Sequence, residues 1–267
     1  MENLKVSLIQ TSMKWEDVGA NLAHFSEMID TIEEETDLIL LPEMFTTGFT
    51  MNPENIAEEV EGPSLKWMQQ QAKVKDAAVS GSVVVHEEEK YYNRLYFVYP
   101  NGAYKSYDKR HLFTFAGEDK KYSAGKRRLI LEYKGWKICP LICYDLRFPV
   151  WARNVEEYDL LFYGANWPSK RILAWNTLLA ARSIENLCYT FGINRTGSDP
   201  NDNTYNGHSA AYNALGDKIS TDKWEKDFVE TMELKKPHIL ETRKQFQFLK
   251  DKDNFMINNF QDFLSNQ

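Results

Sequence analysis

Short, uninterrupted apolar runs recur along this chain, and each of them ends directly on polar residues. The clearest are "DLILLPE", "KICPLIC", "DLLFYGANWP" and "LCYTFGINRT", which begin at residues 37, 137, 159 and 187. Runs of this length without polar alternation are typical of strands that are covered on both faces. Such strands need another layer of structure on each side, so the pattern favours a layered α/β fold.

Segments of other periodicity lie between these runs. Helical spacing of apolar residues, or a favourable helix start, predicts helices over residues 21–33, from Pro63, over about 169–186 and from Lys236 onward. A strand meander is predicted over residues 77–108, with a tight hairpin at Asn101 and Gly102. Pro140, inside the second apolar run, cannot donate to a strand ladder and argues against a regular central strand there.

The chain is long enough to bury one full hydrophobic core. Its 267 residues lie near the size at which single cores begin to divide into two domains. No internal repeat and no linker rich in Pro, Gly or Ser interrupts the order of the elements. We therefore expect a single domain over residues 1–267, with a core from about 4 to 249 and a C-terminal extension over 250–267.

Composition excludes several classes of protein. No apolar segment approaches the ~18 residues that cross a bilayer, and "MENLKVSLIQTS" lacks the features of a signal peptide. The net charge of −7 gives no basic patch for nucleic acid. Three cysteines, an odd number, argue for a reducing compartment, so a cytoplasmic location is expected. No C-x-x-C or H-E-x-x-H spacing occurs, and neither a metal nor another cofactor is expected.

Polar residues that follow the apolar runs form the candidate chemistry. Ligand sites of α/β sheets lie outside the carboxyl ends of the strands. The residues at these ends are Glu43, Lys109, Cys143, Asn166, Asn194 and Arg195. A cysteine needs a base because its free pKa is ~8.5, and a carboxylate can be that base. A lysine can stabilise an oxyanion, so Glu43, Lys109 and Cys143 together indicate a nucleophilic site.

Ordinary structural roles stand beside this interpretation. A cysteine at the end of an apolar run is more often a small core residue than a nucleophile. Glu43 and Lys109, taken singly, are also consistent with charges in solvated loops. Spacing alone does not show whether the three residues meet.

Three segments carry a family resemblance. "LILLPEMFTTGF", "YDKRHLF" and "LICYDLRFP" resemble the three signature segments of the nitrilase, or carbon–nitrogen hydrolase, superfamily. The similarity continues through "LFYGANWP", "ARSIENLCYTFGINRTGSD" and "NALGD", from Val6 to about Phe248. Within the superfamily the sequence is most similar to the omega-amidase branch, which removes ammonia from the terminal amide of 2-oxoacid amides such as 2-oxoglutaramate.

The resemblance implies a fold and a set of catalytic roles. The fold is a four-layer α-β-β-α sandwich, with two mixed sheets face to face and helices outside, commonly paired as a homodimer through the helical layer. Glu43 is implied as the general base, Lys109 as the oxyanion stabiliser and Cys143 as the nucleophile. The backbone N–H of Tyr144 is implied as a second oxyanion donor. Glu118 is the best positional match for an assisting carboxylate, although a solvated loop charge is the alternative.

Substrate recognition is expected around Arg147, four residues after Cys143. A guanidinium pairs well with a carboxylate, so Arg147 is a candidate for the acid group of the substrate. The alternative is a structural ion pair, for example with Asp145. The other residues expected to line the pocket are Asn166, Trp167, Phe45 and Phe113.

These observations predict a thiol amidohydrolase that acts on a small amide and water. The leading hypothesis is release of ammonia from 2-oxoglutaramate or 2-oxosuccinamate through a cysteine thioester. Rival activities within the superfamily are those of a deaminated-peptide amidase, an N-carbamoyl amino acid hydrolase or a nitrilase. A hypothesis of another class is a non-catalytic dimeric binding module. No nucleic acid and no membrane is expected as a partner.

Overall fold

A computed structural model of the chain describes residues 3–257. The strands are β1 (Leu4–Gln10), β2 (Leu38–Leu40), β3 (Glu58–Glu59), β4 (Ala78–Glu87), β5 (Lys90–Val98), β6 (Tyr104–Asp108), β7 (Leu131–Tyr133), β8 (Trp136–Ile142), β9 (Leu160–Ala165), β10 (Tyr189–Asn194), β11 (Thr196–Ser198), β12 (Thr204–Asn206), β13 (Ala210–Tyr212) and β14 (Phe228–Leu234). The α-helices are α1 (Val18–Asp30), α2 (Pro53–Ile56), α3 (Pro63–Lys75), α4 (Pro149–Ala152), α5 (Ile172–Asn186) and α6 (Lys236–Gln245). Short 3₁₀ helices cover Thr114–Ala116, Glu118–Lys120, Cys143–Arg147, Ser169–Arg171 and Phe248–Asp251.

Two mixed sheets form the centre of the molecule. The first has the order β14-β1-β2-β4-β5-β6, with β3 added beside β4, and the second has the order β13-β10-β9-β8-β7. Parallel pairing joins β1 to β2 and β2 to β4 in the first sheet, and β8 to β9 and β9 to β10 in the second. Antiparallel strands flank both parallel centres. The strands β11 and β12 pair separately as a small ribbon.

Alternating side chains of the first sheet separate two packing layers. Leu38 and Leu40 of β2 join the core between the sheets, which also contains Ile138 and Leu160 of the second sheet. Ile39, on the other face of β2, packs in the cluster that includes side chains of α1 and α3. Because neighbouring strand residues point to opposite faces, one sheet serves both layers.

The second sheet is covered by α5. Trp175 and Leu179 of this helix are fully buried, and they approach β10 at Gly192. A Cβ at Gly192 would lie 2.4 Å from Leu179 and 2.5 Å from Trp175, so glycine permits the contact. The predicted α-β-β-α sandwich is therefore confirmed by the layer order.

The predicted elements agree with the structure in kind more than in their limits. The first helix begins at Val18 because Asp17 caps it by accepting a hydrogen bond from Ala20 N. The hairpin at Asn101 and Gly102 is confirmed, with Gly102 at φ 83°. No helix within residues 3–257 is long and apolar enough to cross a membrane. Residues 258–267 of the expected C-terminal extension lie outside the described residues.

Pro140 does not interrupt its strand, contrary to the irregularity expected from the sequence. β7 pairs only with Trp136–Ile138, so from Cys139 onward β8 has a ladder partner in β9 alone. Bonds of a parallel ladder leave alternate residues of a strand pointing away from a given neighbour, and an edge position tolerates a proline there. The strand therefore continues to Ile142 and delivers Cys143 to the sheet edge.

Candidate active site

Three strand ends bring Glu43, Lys109 and Cys143 to one place. Glu43 lies three residues after β2, while Lys109 and Cys143 directly follow β6 and β8. Lys109 Nζ donates to Glu43 Oε1 at 2.8 Å, and both side chains are almost fully buried. Cys143 is 9% exposed and lines a cavity together with Lys109. The coincidence of strand ends in the sequence thus corresponds to a spatial cluster.

Glu118 completes this cluster as a second buried carboxylate. Lys109 Nζ lies 2.9 Å from both of its oxygens, and Phe113 N donates to Oε2 at 2.5 Å. The neighbouring Asp119 is exposed, whereas Glu118 is completely buried. Glu118 is therefore not a solvated loop charge.

Asn93 is a member of the cluster that the sequence did not single out. Its Nδ2 donates to Glu43 Oε1 at 2.8 Å and lies 3.4 Å from Glu118 Oε1. Its carbonyl accepts a hydrogen bond from Lys109 N at 3.0 Å. Asn93 lies within β5 rather than at a strand end, so the only signal in the sequence was an amide inside "YYNRLYFV".

Opposite charges determine the protonation of the cluster. Burial lowers the pKa of Lys109, but the carboxylates of Glu118 and Glu43 outweigh it and hold that pKa above its ordinary value. Lys109 is therefore a permanent ammonium at neutral pH. Burial raises the pKa of Glu118, and Lys109 opposes that rise. One ammonium thus faces two carboxylates in a site shielded from water.

Cys143 sits on a turn of unusual backbone conformation. Its φ of 41° lies in the left-handed region, which few residues other than glycine adopt. Asp145 stabilises this turn because its carboxylate accepts hydrogen bonds from Ile142 N at 3.1 Å and from His111 N at 3.0 Å. Tyr107 OH donates to the same carboxylate at 2.7 Å. Buried strain of this kind is found preferentially at functional sites.

The resting thiol of Cys143 is neutral. Burial, and then the negative charge of Glu43, raise its pKa well above the ordinary value, although Lys109 acts in the opposite direction. Glu43 also accepts a hydrogen bond from the thiol. The arrangement therefore suits transfer of the proton to Glu43 during attack rather than storage of a thiolate.

Glu43 is fixed by β9 as well as by Lys109. Asn166, just after β9, donates its backbone N–H to Glu43 Oε2 at 2.9 Å and its Nδ2 to the Glu43 carbonyl at 2.6 Å. Gly164 permits this approach, since a Cβ there would lie 3.2 Å from Glu43 N. Asn166 also lines the cavity, so it belongs to both the support of Glu43 and the pocket wall.

The cavity above Cys143 has a volume of about 510 Å³. Its wall includes Phe113, Tyr144, Arg147 and Trp167, all of them expected from the sequence. Asn194 holds Trp167 in place, because its Oδ1 accepts from Trp167 N at 2.7 Å and its Nδ2 donates to Trp167 O at 2.9 Å. The volume is large enough for a small organic acid amide.

The expectation that Phe45 lines the pocket requires a correction. Phe45 is fully buried on the helix-facing side of the first sheet, where its ring lies 5.3 Å from Phe25 and 5.5 Å from Trp67. It follows Glu43 by two residues, but the intervening Met44 has a left-handed φ of 43° that turns the chain. Phe45 is therefore a core residue.

Two arginines face the cavity, and only one of them was expected. Arg147 Cζ lies 5.0 Å from the centre of the Trp167 ring, and Arg171 Cζ lies 5.0 Å from that of Phe113. Arg147 does not pair with Asp145, whose carboxylate bonds to Tyr107, His111 and Ile142. Arg171 follows the run "NWPSK", and its basic character beside the pocket aromatics was the available signal.

Comparison with known proteins identifies the class to which this fold and site belong. Residues 5–244 match the model of the carbon-nitrogen hydrolase family. The chain is 42% identical over 257 residues to Omega-amidase YafV of Escherichia coli (strain K12), covering 96% of this chain and 100% of the relative. It is 35% identical over 216 residues to 2-oxoglutaramate amidase of Bacillus subtilis (strain 168), covering 79% and 83%.

A solved structure agrees with these relatives. The chain superposes on XC1258 of Xanthomonas campestris, a CN-hydrolase superfamily protein with an arsenic adduct in its active site, with a TM-score of 0.94 and 41% identity. The superposition covers 97% of this chain and 100% of that one. The chain therefore belongs to the carbon–nitrogen hydrolase family. Within the nitrilase superfamily it falls in the omega-amidase-like branch, and it is an amidase.

Proposed function

We propose that the enzyme releases ammonia from the terminal amide of a small 2-oxoacid amide, with 2-oxoglutaramate or 2-oxosuccinamate as the substrate class. The observation that carries this proposal is the position of Arg147, which shares one cavity with Cys143 and forms no ion pair within residues 3–257. A carboxylate on the substrate can satisfy that guanidinium. The activities named for the Escherichia coli and Bacillus subtilis relatives support the same class.

The first half-reaction forms a thioester. Cys143 Sγ attacks the amide carbon while Glu43 takes the thiol proton, and the carbonyl electrons move onto oxygen. Lys109 Nζ and the Tyr144 N–H donate to the oxyanion, each such donor being worth ~3 kcal/mol. The first turn of the 3₁₀ helix at Cys143 leaves N–H groups without helical acceptors, which supports the role of Tyr144. The C–N bond then breaks as Glu43 returns the proton to nitrogen, and ammonia leaves.

The second half-reaction hydrolyses the thioester. Glu43 takes a proton from water, whose oxygen attacks the acyl carbon, and the same donors hold the second oxyanion. The C–S bond breaks, the acid is released and the proton returns to the Cys143 sulfur. Glu118 acts through Lys109, since its bidentate contact keeps the ammonium charged and oriented. Amide and water are thereby converted to acid and ammonia.

A panel of amides tests the substrate class. Ammonia release is measured at one enzyme concentration for 2-oxoglutaramate, 2-oxosuccinamate, an N-carbamoyl amino acid, a deaminated peptide amide and an aliphatic nitrile. We expect the highest kcat/KM for the 2-oxoacid amides. Preference for an uncharged amide or for a nitrile would overturn the proposal.

We also propose that the enzyme is a homodimer. The outer helical layer exposes Leu173 and Ile184 of α5 by 79% and 51%, and Val150 of α4 by 54%. Leu173 and Ile184 are eleven residues apart, which places them on the same face of the helix. Light scattering after size exclusion should give twice the chain mass, and Leu173→Glu should shift it toward the monomer. A monomeric wild type would contradict this proposal.

A cytoplasmic location is part of the same proposal. Cys139, Cys143 and Cys188 are all free thiols in the described structure, and Cys143 needs to stay reduced to attack the amide. Reducing compartments maintain such thiols. Cell fractionation with activity measurement tests this location, and recovery of the activity outside the cytosolic fraction would contradict it.

A further inference from the structure

We propose that Arg171 is a specificity-determining residue that donates hydrogen bonds to the 2-oxo group of the substrate while Arg147 binds the carboxylate. This inference rests on the proposed function and deepens it, because it assigns the discrimination between a 2-oxo acid and a simple acid to one side chain.

The backbone holds Arg171 firmly at the cavity wall. It ends the 3₁₀ helix Ser169–Arg171 directly before α5. Its N–H donates to Pro168 O at 3.0 Å, and its carbonyl accepts from Trp167 Nε1 at 2.9 Å. The ring beneath Arg147 is thus bonded to the backbone of Arg171, which couples the positions of the two guanidinium-bearing segments.

The guanidinium groups of Arg147 and Arg171 lack the partners that other partly buried arginines have. Arg94 pairs with Asp108, Arg128 with Glu156 and Arg243 with Asp159. In residues 3–257 neither cavity guanidinium forms an ion pair, and each is placed over an aromatic ring.

The carboxylates on the cavity wall are engaged elsewhere. Glu16 accepts a hydrogen bond from Thr50 Oγ1. Asp199 accepts from Tyr205 OH at 2.7 Å and from Asn203 Nδ2 at 3.0 Å. The cavity therefore presents two positive groups whose counter-charge is not supplied by these side chains.

Electrostatics favours an anionic ligand that touches both groups. Burial, together with the positive charge of Arg147, lowers the pKa of Arg171, while a negative charge on Cys143 acts in the opposite direction. Arginine stays protonated at neutral pH even so. Two nearby cations in one cavity repel each other, and an anion between them relieves that repulsion.

The geometry of the ligand head distinguishes the two roles. A guanidinium fork binds both oxygens of one carboxylate, and Arg147 is occupied by that contact. A 2-oxo acid presents a third acceptor oxygen on the adjacent carbon, and this oxygen needs another donor when water is excluded. Arg171 supplies that donor. An amide without the 2-oxo group leaves Arg171 without this contact, which lowers its kcat/KM by about 10- to 100-fold.

Three amides of equal chain length separate the contacts. 2-Oxoglutaramate has the carboxylate and the 2-oxo group, glutaramate has the carboxylate alone, and pentanamide has neither. Their kcat/KM values are measured for the wild type, Arg147→Gln and Arg171→Gln. We expect Arg171→Gln to abolish the preference for 2-oxoglutaramate over glutaramate, and Arg147→Gln to reduce both acids relative to pentanamide.

Two control variants test whether charge alone is responsible. Lys170→Gln removes a neighbouring cation of the same cavity, and we expect it to change both acids by the same factor. Arg127→Gln removes an exposed arginine and should leave all three values unchanged. If the glutamine variant of Arg171 melts at a lower temperature, Arg171→Met, which keeps the stem over Phe113, provides the same comparison.

The outcomes separate this inference from the proposed function. A wild type that does not hydrolyse 2-oxoglutaramate overturns both. A wild type that prefers 2-oxoglutaramate, together with an Arg171→Gln enzyme of unchanged preference, overturns the role of Arg171 and leaves the amidase proposal intact. An equal loss of preference in Lys170→Gln also overturns it, because general charge then explains the selectivity.

Discussion

Lys109 and Glu118 form a buried bidentate ion pair, in which Nζ lies 2.9 Å from each carboxylate oxygen. Both side chains are at most 1% exposed. The same ammonium bonds to Glu43, so one positive charge holds two carboxylates beside the thiol of Cys143. This arrangement makes Lys109 important for stability as well as for the proposed chemistry.

Lys109→Met should therefore damage both properties. Removal of the ammonium leaves Glu43 and Glu118 buried without compensation, and we expect the free energy of unfolding to fall by ~3–5 kcal/mol. Loss of the oxyanion donor should lower kcat by ~100-fold or more. Urea unfolding and steady-state kinetics measure the two effects.

A double variant separates them. Lys109→Met with Glu118→Gln carries one buried carboxylate fewer, so it should recover part of the stability lost in Lys109→Met without recovering kcat. Equal stability of the single and double variants would show that the buried carboxylates are not the cause.

Alkylation should select Cys143 among the three thiols. Cys143 lines the cavity, whereas Cys139 and Cys188 are 0% exposed. Because burial and Glu43 raise the pKa of Cys143, its rate of reaction with iodoacetamide should rise with pH from neutral into the alkaline range. Peptide mapping by mass spectrometry measures the rates. A plateau that is already reached at neutral pH would indicate a preformed thiolate and contradict this prediction.

Stability should fall in alkaline solution because of the buried thiols. Burial raises the pKa of Cys188 to about 12, whereas an unfolded cysteine has a pKa of about 8.5. Above about 8.5 the unfolded state loses the proton that the folded state retains, so the free energy of unfolding declines by up to ~1.4 kcal/mol per pH unit for each such thiol. Cys188→Ala should decline less steeply between about pH 8.5 and 10 in urea titrations. Parallel curves for the two proteins would contradict the assignment.

Phe45 and Phe113 should respond oppositely to the same change. Phe45→Leu removes ring contacts in the core, so we expect it to lower the free energy of unfolding by ~1–2 kcal/mol and to leave KM unchanged. Phe113→Leu removes the ring under Arg171 at the cavity wall and should raise KM with little loss of stability. A raised KM in Phe45→Leu would restore it to the pocket.

Much of the fold and the site followed from local patterns. The apolar runs marked the strands, and the rule that ligands gather at strand ends selected Glu43, Lys109 and Cys143. Asn166 also followed from that rule, but its double contact with Glu43 depends on the passage of Gly164 beside the Pro42 segment. Such a contact between two strands is not readable from either of them alone.

Other parts of the site depend on geometry that no sequence pattern reports. Asn93 lies in the middle of a strand, where burial alone gives it access to both carboxylates. Phe45 is two residues from Glu43, and the backbone turn at Met44 sends it to the core. Arg171 comes to Phe113 through the folding of two separate loops. Resemblance placed the roles, while packing decided which neighbours take part.

The central claim is that Cys143 forms a thioester with a 2-oxoacid amide, and ammonia release by Cys143→Ala measures it most directly. We expect 2-oxoglutaramate turnover to fall by at least ~1,000-fold with an unchanged melting temperature, because the covalent route is lost while only a small, partly cavity-facing group is removed. In the wild type, added hydroxylamine should divert the acyl group to a hydroxamate. A folded Cys143→Ala enzyme that releases ammonia at the wild-type rate would contradict the account.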